Sequence, residues 1–362
     1  MIEIKTISEN TPKVEAMDHE KVAIALEDGS IVVVYLDSNK IISCSLEENP
    51  VQIALYGSRI YVLTKPYPIE IKDDEENEEL LGINMFAQKK TGVTLWLLEI
   101  ENDKLVVVNR RDKTGGFGIY NDKIYACDPI QEGFYALDPN LNLIERVEIK
   151  IKPTNRKPWY SSIYIFDGIL YLIQEDDMIR WFNIGVSITE GGILSTENLH
   201  ASDYISINNP VERMVKVGSY VVGVLASPPF LIHIQNNIPH LVSDPNECIN
   251  LKYKESFSMT KNLRVNTGKY AIANNRFIIS IADTNLKKIE YAFSVEDSSE
   301  TLNISSRFLA YENYLLCFAW TTHDKKCPII IFDMTELSNP KIKMIVNFRG
   351  DVNNLAVKKE DI

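Results

Sequence analysis

Residues 52–65, QIALYGSRIYVLTK, decide how this chain folds. Two apolar runs rich in β-branched and aromatic residues flank a Tyr-Gly-Ser corner. Such runs suit strands, and glycine supplies the positive φ that a tight hairpin turn demands. The stretch therefore reads as a β-hairpin. Close variants return as GFGIYNDKIYACD at 116–128 and as IYIFDGILYLIQ at 163–174.

Working outward, the whole 362-residue chain is built on this pattern. Helical i, i+3, i+4 spacing of apolar residues is almost absent. Opening corners are read at Asp18-His19-Glu20, Tyr56-Gly57-Ser58, Tyr120-Asn121-Asp122, Phe166-Asp167-Gly168, Val217-Gly218-Ser219, Asn274-Asn275-Arg276 and Tyr311-Glu312-Asn313. Each precedes an apolar strand such as KVAIAL, KIYACD or LLCFAW. Closing corners follow the next strand, in three cases at an aspartate (Asp37, Asp138 and Asp333) whose carboxylate can accept hydrogen bonds from the turn's own amides. Weaker closings are LWLLEIENDK, IRWFNIGV, FLIHIQNN and YAFSVEDSS.

The first apolar residues after the opening corners are 22, 60, 124, 169, 220, 277 and 315. Their mean step is about 49 residues, the length of four short strands with their turns in a propeller blade. A single four-stranded sheet cannot bury both faces, so such units stack on one another. The strand ends of the form Leu-Asp-x-Asn resemble the quinoprotein-like and YVTN-type repeats of the β-propeller superfamily. PIIIFDMTELSNPKIKMIVNF, 328–348, is similar to the LVIVD-type repeat. No unit carries the Trp-Asp ending of WD40 repeats, so the resemblance implies a WD40-like architecture and no activity. The expected fold is all-β: one seven-bladed propeller over 1–362, with eight blades as the alternative. The expected blades span 10–48, 49–111, 112–152, 158–207, 208–258, 262–302 and 303–350. Residues 66–92 form an acidic insertion, and 1–8 with 351–362 are the ring-closing segments.

The net charge is −12, with 38 Lys and Arg against 50 Asp and Glu. This argues against a general nucleic-acid binder, which needs a basic surface to neutralise phosphates. No apolar run is long enough to cross a membrane, and MIEIKTISEN lacks the basic and apolar regions of a secretory signal. Five cysteines without a CxxC pair read as free thiols in a reducing compartment. The expectation is a soluble, cytoplasmic protein.

The search for chemistry finds little. There is no phosphate-loop signature, and KTGGFG at 113–118 precedes a strand rather than a helix. The histidines His19, His200, His233, His240 and His323 show no metal-ligand spacing, and His233 reads as structural. No nucleophile elbow occurs, and Cys127 and Cys317 sit inside apolar strands as inert sulfur. Catalytic residues, cofactors and metals are therefore read as none. Asp128, Glu175, Asp176, Asp177 and Asp283 are the acids that could line a central channel.

Charge placement is more informative. In a propeller the second-to-third strand turns and the blade-to-blade connections share a face. NRRDKTGG and PTNRKPWY read as two such connections, and TTHDKK as a turn on the same face. Arg110, Arg111, Lys113, Arg156, Lys157, His323, Lys325 and Lys326 would then form a basic sector, with Trp159 as an aromatic anchor. The run Asp73, Asp74, Glu75, Glu76, Glu78 and Glu79 would form an acidic sector. Arg and Trp are favoured in interface cores. The expected function is a non-catalytic scaffold that docks a protein partner through this face, within a larger assembly. The alternative is an enzyme or small-molecule binder at the central channel, with a hydrolase, lactonase or glycosidase chemistry. Neither nucleic acid nor membrane insertion is expected.

Overall fold

The computed structural model describes residues 1–65, 93–128, 133–149, 162–173, 178–195, 213–224, 230–242, 252–253, 257–258, 263–274, 277–296, 302–352 and 354–361. These residues form strands and turns with no helix among them. A short strand, β1 (Ile2–Ile4), precedes the first blade, which comprises β2 (Pro12–Met17), β3 (Lys21–Leu26), β4 (Ser30–Tyr35) and β5 (Ile41–Ser45). The second blade holds β6 (Asn49–Tyr56), β7 (Arg59–Lys65), β8 (Val93–Glu101) and β9 (Lys104–Thr114). The third holds β10 (Phe117–Tyr120), β11 (Lys123–Asp128), β12 (Gly133–Leu137) and β13 (Leu143–Glu148). The fourth holds β14 (Ser162–Phe166), β15 (Ile169–Ile173), β16 (Met178–Asn183) and β17 (Thr189–Ser195). The fifth holds β18 (Arg213–Val217), β19 (Tyr220–Val224), β20 (Phe230–Gln235) and β21 (Ile238–Val242).

A two-stranded hairpin, β22 (Lys252–Tyr253) and β23 (Phe257–Ser258), follows. The sixth blade holds β24 (Leu263–Asn266), β25 (Ala271–Asn274), β26 (Ile278–Ala282) and β27 (Ile289–Glu296). The seventh holds β28 (Asn303–Tyr311), β29 (Tyr314–Trp320), β30 (Ile329–Asp333) and β31 (Lys341–Val346), and β32 (Ala356–Lys359) ends the chain. Every blade is a sheet whose four strands lie side by side in chain order. These are the seven blades of a β-propeller, so the eight-blade alternative falls away.

Two compact units result. One comprises Met1–Val22, Val33–Ile41 and Asn198–Ile362; the other comprises Ala23–Val32 and Ile42–Glu197. The first blade contributes residues to both. The first unit holds the fifth, sixth and seventh blades and the second unit holds the second, third and fourth.

Burial explains why the repeat reads as continuous apolar runs. The second strand of a blade has neighbours on both faces, so KVAIAL in β3 is buried throughout, as are the interiors of RIYVLTK in β7 and YLLCFAW in β29. Within the second unit, Tyr61, Leu95 and Leu97 pack with Phe117 and Ile124 of the next blade. Tyr125 and Phe134 pack in turn with Leu170 and Phe182. Within the first unit, Phe293 and Ile279 pack with Phe308, Leu315 and Phe332. Arg307 on β28 pairs with Glu15 on β2, donates to the Pro12 carbonyl at 3.0 Å and lies 4.4 Å over Phe318.

Six opening corners stand where the sequence places them. Asn121, Asp122, Asp167 and Glu312 adopt positive φ there, as do Gly57, Gly168 and Gly218. The corner read at Asn274-Asn275-Arg276 is corrected, because Asn274 ends β25 and pairs with Ile279 of β26. The opening turn of that blade is at 267–270, where Gly268 has φ +81° and the Thr267 hydroxyl accepts from the Lys269 and Tyr270 amides. FIISIA is therefore the third strand, and YAFSVE lies in the outer strand β27 instead of before a closing turn. Each end of the chain adds a fifth strand to a blade of the first unit. β1 lies parallel to β31, and β32 lies antiparallel to β27.

Candidate functional site

The basic residues of the second blade stand on a strand. NRRDKT, expected as a connection, belongs to β9, which stays paired with β8 through Leu95 opposite Arg111 and Val93 opposite Thr114. The correction has a physical cause: β-bulges absorb the register shifts, so pairing continues beyond the position where alternation breaks. Successive residues on a strand face opposite sides, and Arg110 and Arg111 accordingly take different partners. The Arg110 guanidinium lies 5.4 Å over the Trp96 ring of β8, and the Arg111 guanidinium lies 4.4 Å over the Tyr135 ring of the third blade. Trp96 is itself fixed, donating its indole N–H to the Thr64 hydroxyl at 2.8 Å.

Tyr135 is held from below. Its hydroxyl donates to Asp128 at 2.5 Å, and Arg146 of β13 approaches the same carboxylate at 3.8 Å. Burial, reinforced by the bond to Asp128, raises the Tyr135 phenol above its ordinary value. Asp128 is buried, and its carboxylate serves Tyr135 and Arg146 on the two outer strands of its blade. Beside this cluster Asn109 donates to the Asn140 carbonyl at 2.6 Å, while Arg59 bonds both Glu99 and the Asn140 side chain. Arg110 keeps an exposed side chain, with Asp112 at 3.9 Å. Lys113 is exposed and adopts φ +58°.

The second expected group sits on the β29–β30 turn of the first unit. Lys325 is exposed with φ +52°, and Lys326 pairs with Asp324 at 3.2 Å. The turn is closed by the Lys326 amide donating to the Thr321 hydroxyl. His323 is exposed on the same turn. Arg156, Lys157 and Trp159, the acidic run 73–79, and Glu175, Asp176 and Asp177 lie outside the described residues.

Asp283 closes a turn. Its carboxylate accepts from the amides of Lys287 at 2.7 Å and Lys288 at 2.5 Å, so it closes the turn between β26 and β27. Asp138 does the same for Asn140 and Asn142, and Asp333 for Thr335. Their hydrogen bonds from the Asn142 and Thr335 side chains hold both carboxyls below the ordinary carboxylate range. Asp37 instead pairs with Lys343 at 2.8 Å.

The remaining candidates take structural places. Cys127 and Cys317 are buried, and burial pushes the Cys317 thiol far up and the Cys44 thiol up to about 11. His233 stacks on Tyr220 at 4.4 Å. A Cβ at Gly115 would stand 2.7 Å from the Cys127 Cβ, so close packing dictates that glycine. Among the described residues no group of acids, histidines and cysteines could hold a metal ion.

Sequence reasoning missed Trp96 and Tyr135, over which Arg110 and Arg111 lie, Arg146 beside Asp128, and three exposed valines on β9. The signal for Trp96 and Tyr135 is their alternation with buried residues in LWLLE and FYALD, which places an aromatic ring on the face opposite the next strand's cation.

No family model and no curated protein matches the sequence. Solved structures do. The WD40 β-propeller domain of Doa1 is similar at 8% identity and TM-score 0.53, over 92% of this chain and 96% of that one. BamB from Moraxella catarrhalis is similar at 10% identity and TM-score 0.51, over 85% of this chain and 82% of that one. KlAtg21, in its complex with the coiled coil of AgAtg16, is similar at 9% identity and TM-score 0.54, over 93% and 99%. At these identities the likeness establishes the fold. Among the described residues no helix is long and apolar enough to cross a membrane.

Proposed function

We propose that this propeller is a non-catalytic protein-interaction module that docks an acidic partner through the basic end of its second blade. The observation that carries the reading is the stacking of Arg110 and Arg111 on Trp96 and Tyr135. A guanidinium held over an aromatic ring is oriented before the partner arrives, so less side-chain entropy is lost on binding. Its fork of donors matches a carboxylate. The surrounding charge of −12 makes such a patch selective, because acidic partners are repelled elsewhere. The turn carrying His323, Lys325 and Lys326, and the residues Arg156, Lys157 and Trp159, are proposed as further contacts. That one similar structure is a complex with a coiled coil supports the general kind. The proposed setting is a larger assembly inside the cell.

The test is affinity purification from the native source with the wild-type chain and with Arg110→Glu/Arg111→Glu as baits. The double variant should lose at least one partner that the wild type captures, and that capture should weaken as salt rises. An identical partner set, with both baits equally folded by circular dichroism, would refute the reading.

A further inference from the structure

β9 is the outermost strand of its sheet, and no described strand pairs with its far edge. It runs for 11 residues, and Val106, Val107 and Val108 are 38%, 44% and 46% exposed. A long unpaired edge that exposes a run of valines is a template for another strand. Folded chains usually blunt such an edge, and this protein covers two of its own. In the first unit β32 adds to the outside of β27, and β1 adds to the outside of β31. The blades of this chain therefore accept a fifth strand at the outer edge, in either direction.

The covered edge also indicates how an occupant is selected. β32 is basic, and its Lys358 bonds Glu296 of β27 at 3.0 Å, while Glu360 just beyond it accepts from Ser294 at 2.7 Å. As a receiving edge β9 is opposite in sign to β27, which carries Glu290 and Glu296: it has Lys104, Arg110, Arg111 and Lys113 against the single acid Asp112. Complementarity then calls for carboxylates on the added strand. A second copy of this chain fits poorly. Antiparallel pairing of two β9 strands centred on Val107 would set Lys104 opposite Arg110, a like-charge pair.

We infer that the far edge of β9 takes an extended, acidic segment of a partner protein as a fifth strand, with apolar residues beside the valines and carboxylates on a face that carries Arg110 or Arg111. This rests on the docking reading above and specifies its mode. Main-chain hydrogen bonds would supply affinity and the arginines would supply choice of partner.

The test uses a capped, fluorescently labelled nine-residue peptide of alternating valine and glutamate, and a twin with every backbone amide N-methylated. The twin keeps the charges and side chains but cannot pair as a strand. The unmodified peptide should bind the full chain, slow amide exchange across residues 104–114 at least tenfold, and bind at least tenfold more weakly to Arg110→Glu/Arg111→Glu. The methylated twin should not bind. Equal binding of both peptides overturns strand addition while leaving charge-driven docking in force. Binding indifferent to the arginine variant overturns both. Absence of peptide binding overturns strand addition, as does protection of 104–114 that rises with protein concentration when no peptide is present, since the occupant is then a second copy.

Discussion

The sixth and second blades end in the same kind of strand and treat it in opposite ways. β27 is buried along almost its whole length, because β32 lies along its edge and the Glu360 amide donates to the Ala292 carbonyl at 2.9 Å. β9 is exposed along almost its whole length, although its valines are as apolar as anything in β27. The outer strand of a blade has no burial of its own. What covers it decides whether it belongs to the core or to the surface. In the sixth and seventh blades β32 and β1 provide the cover, and in the second blade β9 keeps its edge open among the described strands.

If the two blades differ only at their edges, their interiors must cost alike to disrupt. Ile281→Ala in the sixth blade and Leu97→Ala in the second, both in fully buried positions, should each lose about 2–5 kcal/mol in denaturant unfolding. A large gap between them would break the comparison. Next in size is removal of residues 354–362, which uncovers β27 and takes away the buried Leu355. It should cost about 1–3 kcal/mol and speed amide exchange in β27 while leaving β9 unchanged. Equal change in both strands would show that β32 does more than cover one edge.

The turn aspartates test whether the units share a local rule. Asp138→Ala in the second unit and Asp333→Ala in the first should each cost about 1 kcal/mol, measured by thermal unfolding at neutral pH. Because both carboxyls are held below the ordinary carboxylate range, their contribution is present above about pH 4 and is lost as pH falls through their lowered values. Each variant should therefore unfold at acid pH with less loss than the wild type relative to its own neutral stability. The smallest effect sharpens the contrast most. Val107→Lys on the open edge should change stability by less than about 0.5 kcal/mol. A larger loss would mean that β9 is covered after all.

Much of the fold was legible because its signals are short-range. Gly57, Asp167 and Gly168 announce their turns by tolerating positive φ, and Asp138 and Asp333 by capping amides two residues on. The sixth blade misled for the same reason. Asn274-Asn275-Arg276 has turn chemistry, yet the side chain of Asn274 accepts from Arg264 and donates to the Ser305 carbonyl, so it serves packing within the unit. The signals that mark the real turns, Gly268 and Asp283, both stand in the sequence, although Asp283 also fits the acids that could line a channel. The candidate site was half legible. Arg110, Arg111 and Lys113 are conspicuous in an acidic chain, but their place on a strand depends on pairing with β8 across a bulge. Tyr135 and Asp128 come from the next blade, and nothing near Arg111 in the chain points to them.

The sequence by itself determined the repeating hairpin and most of the apolar second strands, because turn conformation and strand pairing between chain neighbours are set by residues a few positions apart. The tertiary structure alone decided that the blades number seven, which outer strands are covered, that Asp128 supports a ring, and where the arginines rest. Those outcomes depend on strands brought together from distant parts of the chain, as Lys358 meets Glu296 on the covered edge and Arg111 meets Tyr135 beside the open one.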